Sequence, residues 1–153
     1  MRTDNRKVKN TVVSIYFILI VFAILSATVF KFSDVMAGKV LYILLGLLAL
    51  VVLFHFVSRY FEYDSDGAKV IITNRGLLLT EYINYRENKV KFSRSQLVGY
   101  KINNYLIYKS LVIILKTQDG RQTKERFNVT LLKRKKLRYV RQSLKKILKE
   151  NRK

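Results

Sequence analysis

Val12–Phe30 reads VVSIYFILIVFAILSATVF, nineteen residues without a charge. At about 1.5 Å per residue, a helix of that length reaches roughly 28 Å, close to the hydrocarbon thickness of a bilayer. The run is apolar on every face, whereas a helix resting on a soluble core keeps a polar side. Val40–Val57, VLYILLGLLALVVLFHFV, repeats the pattern over eighteen residues. Two membrane helices are therefore expected. A cleaved signal peptide is the competing reading of the first run. Its apolar stretch exceeds the usual length of about 7–15 residues, and Ser26-Ala27-Thr28 is a poor cleavage site.

The basic residues beside these runs set an orientation. Arg2, Arg6, Lys7 and Lys9 precede the first run. Residues 31–39 between the runs hold only Lys31 and Lys39 as cations, with Asp34 between them. Arg59 and a strongly basic segment follow the second. Positive flanks stay in the cytoplasm, so the sequence predicts a two-pass protein of the plasma (inner) membrane with both termini inside. The expected map is a basic cytoplasmic N-terminus at 1–11, membrane helices at 12–30 and 40–58, an external loop at 31–39 and a cytoplasmic domain at 59–153. Arg59, Tyr60, Phe61 and Tyr63 are expected as an interfacial anchor. His55, the one histidine, reads as an interfacial imidazole, since a proton relay would want acidic partners at membrane depth. Gly46 has no GxxxG partner, so no specific dimerisation face is expected.

The chain has 153 residues and a formal net charge of +20, with no cysteine and no proline. Such a charge favours anionic partners without specifying a fold. Missing cysteine removes disulfides, thiol catalysis and thiolate metal sites together. Missing proline fits uninterrupted helices and regular strands.

Beyond Tyr60 the pattern changes to short apolar runs separated by turn signals. Asp64-Ser65-Asp66-Gly67 reads as a polar hairpin turn before KVIIT, and Asn74-Arg75-Gly76 precedes LLLTEY. KVKF, LVGYKI, LIY and LVIILKT follow, and Asp119-Gly120 is a two-residue hairpin signal ahead of RQTKERFNV. Six or seven strands are expected between Phe61 and Val129, antiparallel because no helical pattern interrupts them. Leu137, Val140, Leu144, Ile147 and Leu148 then form one apolar stripe on a helix over Leu131–Glu150. Thr130 or Asn128 is its expected N-cap. The fold class is thus an α+β membrane protein: a two-helix transmembrane hairpin, then a small antiparallel β-barrel or sheet capped by one C-terminal amphipathic helix.

That order resembles the pleckstrin-homology (PH) domain, in which the helix plugs one end of a bent barrel. KVKFSRSQLVGYKI, Lys89–Ile102, resembles a segment of bacterial PH-like families that accompany membrane helices. LVIILKTQDGRQTKERFNV with LLKRKKLRYVRQSLKKIL resembles their last hairpin and helix. The resemblance covers residues 60–150 and implies a binding or scaffolding module. Phosphoinositide-binding PH domains carry a basic motif around the first hairpin and usually a tryptophan in the final helix. Here Asp64-Ser65-Asp66-Gly67 occupies that turn and the chain has no tryptophan, which argues against specific inositol-phosphate binding.

From Thr130 onward, eleven basic residues face one acidic residue, Glu150, a formal excess of ten. A solvated surface helix normally mixes its charge signs. Like charges three or four apart cost about 0.2–0.5 kcal/mol each, and an anionic surface would relieve them. Lys133, Arg134, Lys135, Lys136, Arg138, Arg141, Lys145, Lys146 and Lys149 are therefore the candidate anion- and lipid-binding residues. A domain tethered at the inner leaflet gains about 1 kcal/mol per cation held near anionic headgroups. RNA, including ribosomal RNA, is the rival anion, with Tyr100, Tyr105 and Tyr108 as stacking candidates; tyrosines in strands, however, more often pack across the sheet. Without cysteine, and with the single histidine in a membrane run, no catalytic residues, metal site or cofactor is expected. The sequence predicts a non-enzymatic, membrane-anchored adaptor or accessory subunit of a membrane complex, with phospholipid headgroups and a protein as partners. A membrane tether for RNA or ribosomes is the alternative.

Overall fold

The computed structural model describes residues 1–30, 37–77, 87–117 and 119–152. The elements in chain order are β1 (Arg2–Asp4), α1 (Arg6–Phe30), α2 (Ala37–Val57), β2 (Tyr60–Asp64), β3 (Lys69–Arg75) and β4 (Asn88–Ser93). After a 3-10 turn at Arg94–Gln96 come β5 (Leu97–Asn104), β6 (Lys109–Lys116), β7 (Gln122–Asn128) and α3 (Arg134–Glu150). Two antiparallel sheets, β1-β2-β3-β4 and β5-β6-β7, make the protein α+β.

The N-terminus departs from expectation. It is not a basic tail over 1–11 but the edge strand of the first sheet: Arg2, Thr3 and Asp4 pair with Asp64, Tyr63 and Glu62. Arg2 Nε donates to Glu62 Oε1 at 2.7 Å, and the N-terminal ammonium meets Asp66. Asp4 Oδ1 accepts from the Arg6 N–H at 3.0 Å in an Asx turn leading into α1, which starts six residues ahead of the apolar run. A three-residue strand has too short a period to stand out in sequence.

Within α1, Arg6–Ser26 is long and apolar enough to cross a membrane. In α2 the apolar stretch with described side chains, Tyr42–Val52, is shorter than a span. The expectation of two spans is thus met by the first helix alone. The lipid-like surface of α1 is plain: Ile15, Phe17, Ile18, Ile20, Phe22 and Ile24 are exposed, Phe17 to 69%. The side chain of His55 and the loop residues 31–36 lie outside what is described, as does most of LLLTEY.

The main core lies between the two sheets and α3. Phe61, Tyr63, Val70, Ile72 and Phe92 of the first sheet meet Leu97, Leu111, Ile113 and Phe127 of the second. Val140, Leu144 and Ile147 close the core from α3, as the apolar stripe predicts. Burying each such side chain contributes about 1.5–3 kcal/mol. Leu144→Ala would cost about 2–5 kcal/mol, since the pocket it fills cannot fully collapse. Tyr60, Phe61 and Tyr63 are not an interfacial anchor: all three are buried.

Local corrections follow from hydrogen bonding. LIY is not a strand; Leu106 and Ile107 occupy the turn closed by Tyr105 N–H to the Tyr108 carbonyl at 2.8 Å. The Asp119-Gly120 hairpin forms, but wider than a two-residue turn. Thr117 N–H bonds the Arg121 carbonyl at 2.8 Å, and Gly120, at φ 80°, donates to the Thr117 carbonyl. α3 starts at Arg134 with Lys133 at the N-cap and no side-chain cap. Asn128 and Thr130 are engaged elsewhere: Asn128 Oδ1 accepts from Thr130 N–H, and Thr130 Oγ1 accepts from Lys109 N–H at 3.0 Å. The polar turn after β2 is as expected, with Asp64 Oδ1 accepting from Asp66 N–H at 3.0 Å.

Candidate functional site

The helices leave the domain at one end, and that end is built around a second apolar cluster. Val12 and Tyr16 of α1 pack with Tyr60 and Leu77, and Val8, Val51 and Leu131 flank them. Two cations sit over the Tyr60 ring, Arg75 at 4.7 Å and Lys9 at 5.8 Å from its centroid. Burial, and after it the hydrogen bond to Glu62, push the Tyr60 phenol above its ordinary pKa.

α3 begins at this same end. Leu131, two residues before its N-cap, packs with α1. Lys136 Nζ donates to the Asp4 carbonyl and lies 3.5 Å from Asp4 Oδ1. Lys7, Lys133 and Lys136 ring a cavity of about 40 Å³ with Asp4, Asn5 and Val8. The helix then runs away from α1. Its far end is fixed by Asn151, whose Nδ2 donates to the carbonyls of Arg94 and Leu97 at 2.7 and 3.0 Å. Arg94 in turn donates to Ser65 and Gly67, at the end of β2 opposite Tyr60.

This direction divides the nine candidate cations. Lys133, Arg134, Lys135 and Lys136 lie beside the base of α1, together with Lys7. Arg138, Arg141, Lys145, Lys146 and Lys149 climb away from it. Sixteen residues separate Lys133 from Lys149, about 24 Å of helix rise and roughly three Debye lengths at physiological salt. The structure therefore does not bring all nine to one plane. Among the described residues of α3, Lys136 is the one cation with a carboxylate partner.

Electrostatics sharpen the proximal group. A helix N-terminus carries about half a positive charge and favours anions. α3 has no acidic residue in its first turn and no side-chain cap, yet places three cations there and a fourth at the N-cap. Every one of these features repels the others, and an external anion would relieve them together. Sequence reading missed Lys7 as a member of this group, because 129 positions of chain order separate Lys7 from Lys136. Of the tyrosines considered for stacking, Tyr100 is half-buried and its hydroxyl donates to the Arg141 carbonyl. Tyr105 and Tyr108 stack on each other at 6.2 Å in the β5–β6 turn, outside any strand. Among the described residues no group of acidic or histidine side chains is arranged to hold a metal ion.

Comparison of the chain with protein-family models, with curated proteins and with solved structures finds no match.

Proposed function

We propose that this protein is a two-pass membrane adaptor whose PH-like cytoplasmic domain docks on anionic headgroups through the first turn of α3 and the base of α1. The observation that carries the reading is the uncapped, four-cation start of α3 placed against Lys7 at the foot of a membrane-length helix. Two-pass topology has its own support. β1 precedes α1, β2 follows α2, and the two strands are paired; the start of α1 and the end of α2 therefore lie side by side, which favours an even number of crossings. α2, 21 residues from Ala37 to Val57, is then the return. Seven antiparallel strands followed by a helix keep the order expected of a PH-like domain, with the hairpin inserted after the first strand. The basic flanks of α1 and α2 favour a cytoplasmic domain.

The role is binding, as an accessory subunit of a larger membrane assembly. The five distal cations of α3 remain open to a second acidic partner. The test is purification of the full-length protein from native membranes in mild detergent, with and without RNase and a high-salt wash. A stoichiometric protein that survives both treatments is the expected result. Ribosomal proteins lost on RNase or salt treatment would replace the adaptor with an RNA tether. Labelling of single cysteines at residues 2 and 152 from opposite sides of the membrane would refute the two-pass reading.

A further inference from the structure

Among the described residues, the most exposed apolar side chains outside α1 and α2 stand together at one turn. Leu106 is fully exposed, Ile107 is 71% exposed and Tyr105 57%. Soluble domains seldom leave such residues at the tip of a rigid hairpin without a partner. The tip is held firmly: Tyr105 N–H bonds the Tyr108 carbonyl and the two rings stack.

Its position identifies the partner. Lys109, the first residue of β6, is tied to the segment that packs on α1. Val129 N–H donates to the Lys109 carbonyl at 2.9 Å, and Lys109 N–H donates to Thr130 Oγ1. The next residue, Leu131, lies in the cluster with Val12 and Tyr16. β5 starts at the opposite end, where Asn151 holds the Leu97 carbonyl, and runs toward this one. The turn beyond Asn104 therefore projects from the end of the domain where α1 and α2 leave it. Val12 already belongs to the uncharged run of α1, so domain residues Leu77 and Leu131 meet α1 at a level where its sequence is apolar.

We infer that the β5–β6 turn is a membrane wedge: Leu106 and Ile107 enter the boundary between headgroups and acyl chains of the leaflet from which the helices emerge. Tyr105 and Tyr108 sit at headgroup level, the depth that amphipathic rings favour. Lys109, paired with Asn104 at the base of the turn, is the cation nearest them in the strands. The wedge is a third contact beside α1 and α2 and fixes the tilt of the domain. It rests on the reading that α1 lies in the membrane, and it uses a surface separate from the cations of α3.

The absence of tryptophan makes the test direct. Full-length variants Leu106→Trp, Phe17→Trp in α1 and Arg121→Trp in the turn at the far end of the β6–β7 hairpin would be reconstituted in phosphatidylcholine–phosphatidylglycerol vesicles. In a parallel set, the phosphatidylcholine is brominated near the top of its acyl chains. The wedge predicts blue-shifted emission, lost on bromination, for L106W and F17W, and water-like unquenched emission for R121W. Quenching of F17W without L106W overturns the wedge and leaves the membrane helix standing. Failure of F17W removes both. Emission of L106W that is blue-shifted yet unquenched assigns the turn to a protein contact and overturns the wedge. Quenching of R121W does so too, because the domain would then lie flat.

Discussion

Asn5 and Phe61, 56 positions apart, exchange two hydrogen bonds: Asn5 N–H donates to the Phe61 carbonyl at 3.2 Å, and Phe61 N–H donates to Asn5 Oδ1 at 2.9 Å. Asn5 Nδ2 also donates to the Arg59 carbonyl at 2.9 Å. Asn5 is the last residue before α1, and Arg59 and Phe61 follow α2. A single side chain thus clamps the start of α1 and the segment just after α2 to the rim of the sheet. With only 2% of its surface exposed, it has no water to replace a lost partner.

Asn5→Ala removes both side-chain bonds and leaves the Phe61 N–H and Arg59 carbonyl unsatisfied. Each such buried group costs about 1–3 kcal/mol. The expected result is a full-length protein in detergent with a clearly lowered Tm, and faster hydrogen exchange at β1 and β2 than in the rest of the sheet. Unchanged protection of β1 would show that strand pairing alone holds the N-terminus.

Asn74 performs the corresponding task between the sheets. Its Nδ2 donates to the carbonyls of Tyr60 and Asn128, both at 3.0 Å, and its Oδ1 accepts from Asn128 N–H at 3.1 Å. The two bonds to Asn128 tie the first sheet to the last strand of the second, and the bond to Tyr60 stays within the first. Leucine has the branching and heavy-atom count of the asparagine side chain but satisfies none of the three backbone groups, so Asn74→Leu should destabilise by at least about 2 kcal/mol. Denaturant unfolding followed by circular dichroism checks this. An unfolding midpoint equal to that of the unsubstituted chain would mean that water replaces the amide.

These two asparagines also mark what sequence reading could reach. LIY forms a turn, whereas the strands at KVIIT, KVKF, LVGYKI and LVIILKT and the stripe Val140, Leu144, Ile147 are legible in the sequence, because periods of two and of about 3.6 residues survive in a single chain. β1 was not: Arg2-Thr3-Asp4 looks like the basic flank of a membrane helix, and only its pairing with Asp64–Glu62 gives it a structural role. Tyr60, Phe61 and Tyr63 match the composition of an interfacial belt but are core, because β2 begins within three residues of α2. The nine cations of α3 were legible as a charge run. Their division into near and far groups was not, since it depends on the direction of the helix relative to α1.

Tyr63 supplies a pH test of the packing between the first sheet and α3. Its hydroxyl lies 2.9 Å from Ser143 Oγ, and Ser143 Oγ is 3.2 Å from Ser65 Oγ. Burial raises the phenol above its ordinary value, and the two serines only partly offset this. The folded state therefore keeps the proton longer than the unfolded chain. The corresponding stability is fully present below about pH 10, where the unfolded phenol titrates, and is lost as pH rises through the higher folded value. Tyr63→Phe should lower stability slightly at neutral pH, by about 0.5–1.5 kcal/mol for the lost bond. It should also flatten part of the alkaline decline. The remainder belongs to Tyr60, also raised by burial, so Tm against pH should be flatter still in the Y60F,Y63F double variant.

The near and far ends of α3 should respond differently to lipid charge. Lys135 stands in the first turn beside the base of α1, and Lys149 lies in the last turn, about 21 Å further along the axis at 1.5 Å per residue. Both are exposed, and the chain has no cysteine, so Lys135→Cys and Lys149→Cys each accept one environment-sensitive fluorophore. In reconstituted full-length protein, raising the phosphatidylglycerol fraction should shift the emission of the Lys135→Cys label. Raising salt should reverse that shift, because the Debye length contracts to about 3 Å at 1 M. The Lys149→Cys label should respond to neither. Equal responses at both sites would mean that the whole helix lies along the leaflet, with α3 detached from the Asn151 contacts to Arg94 and Leu97. A response at neither site would leave the first-turn cations without a lipid partner and assign them to a protein or nucleic acid.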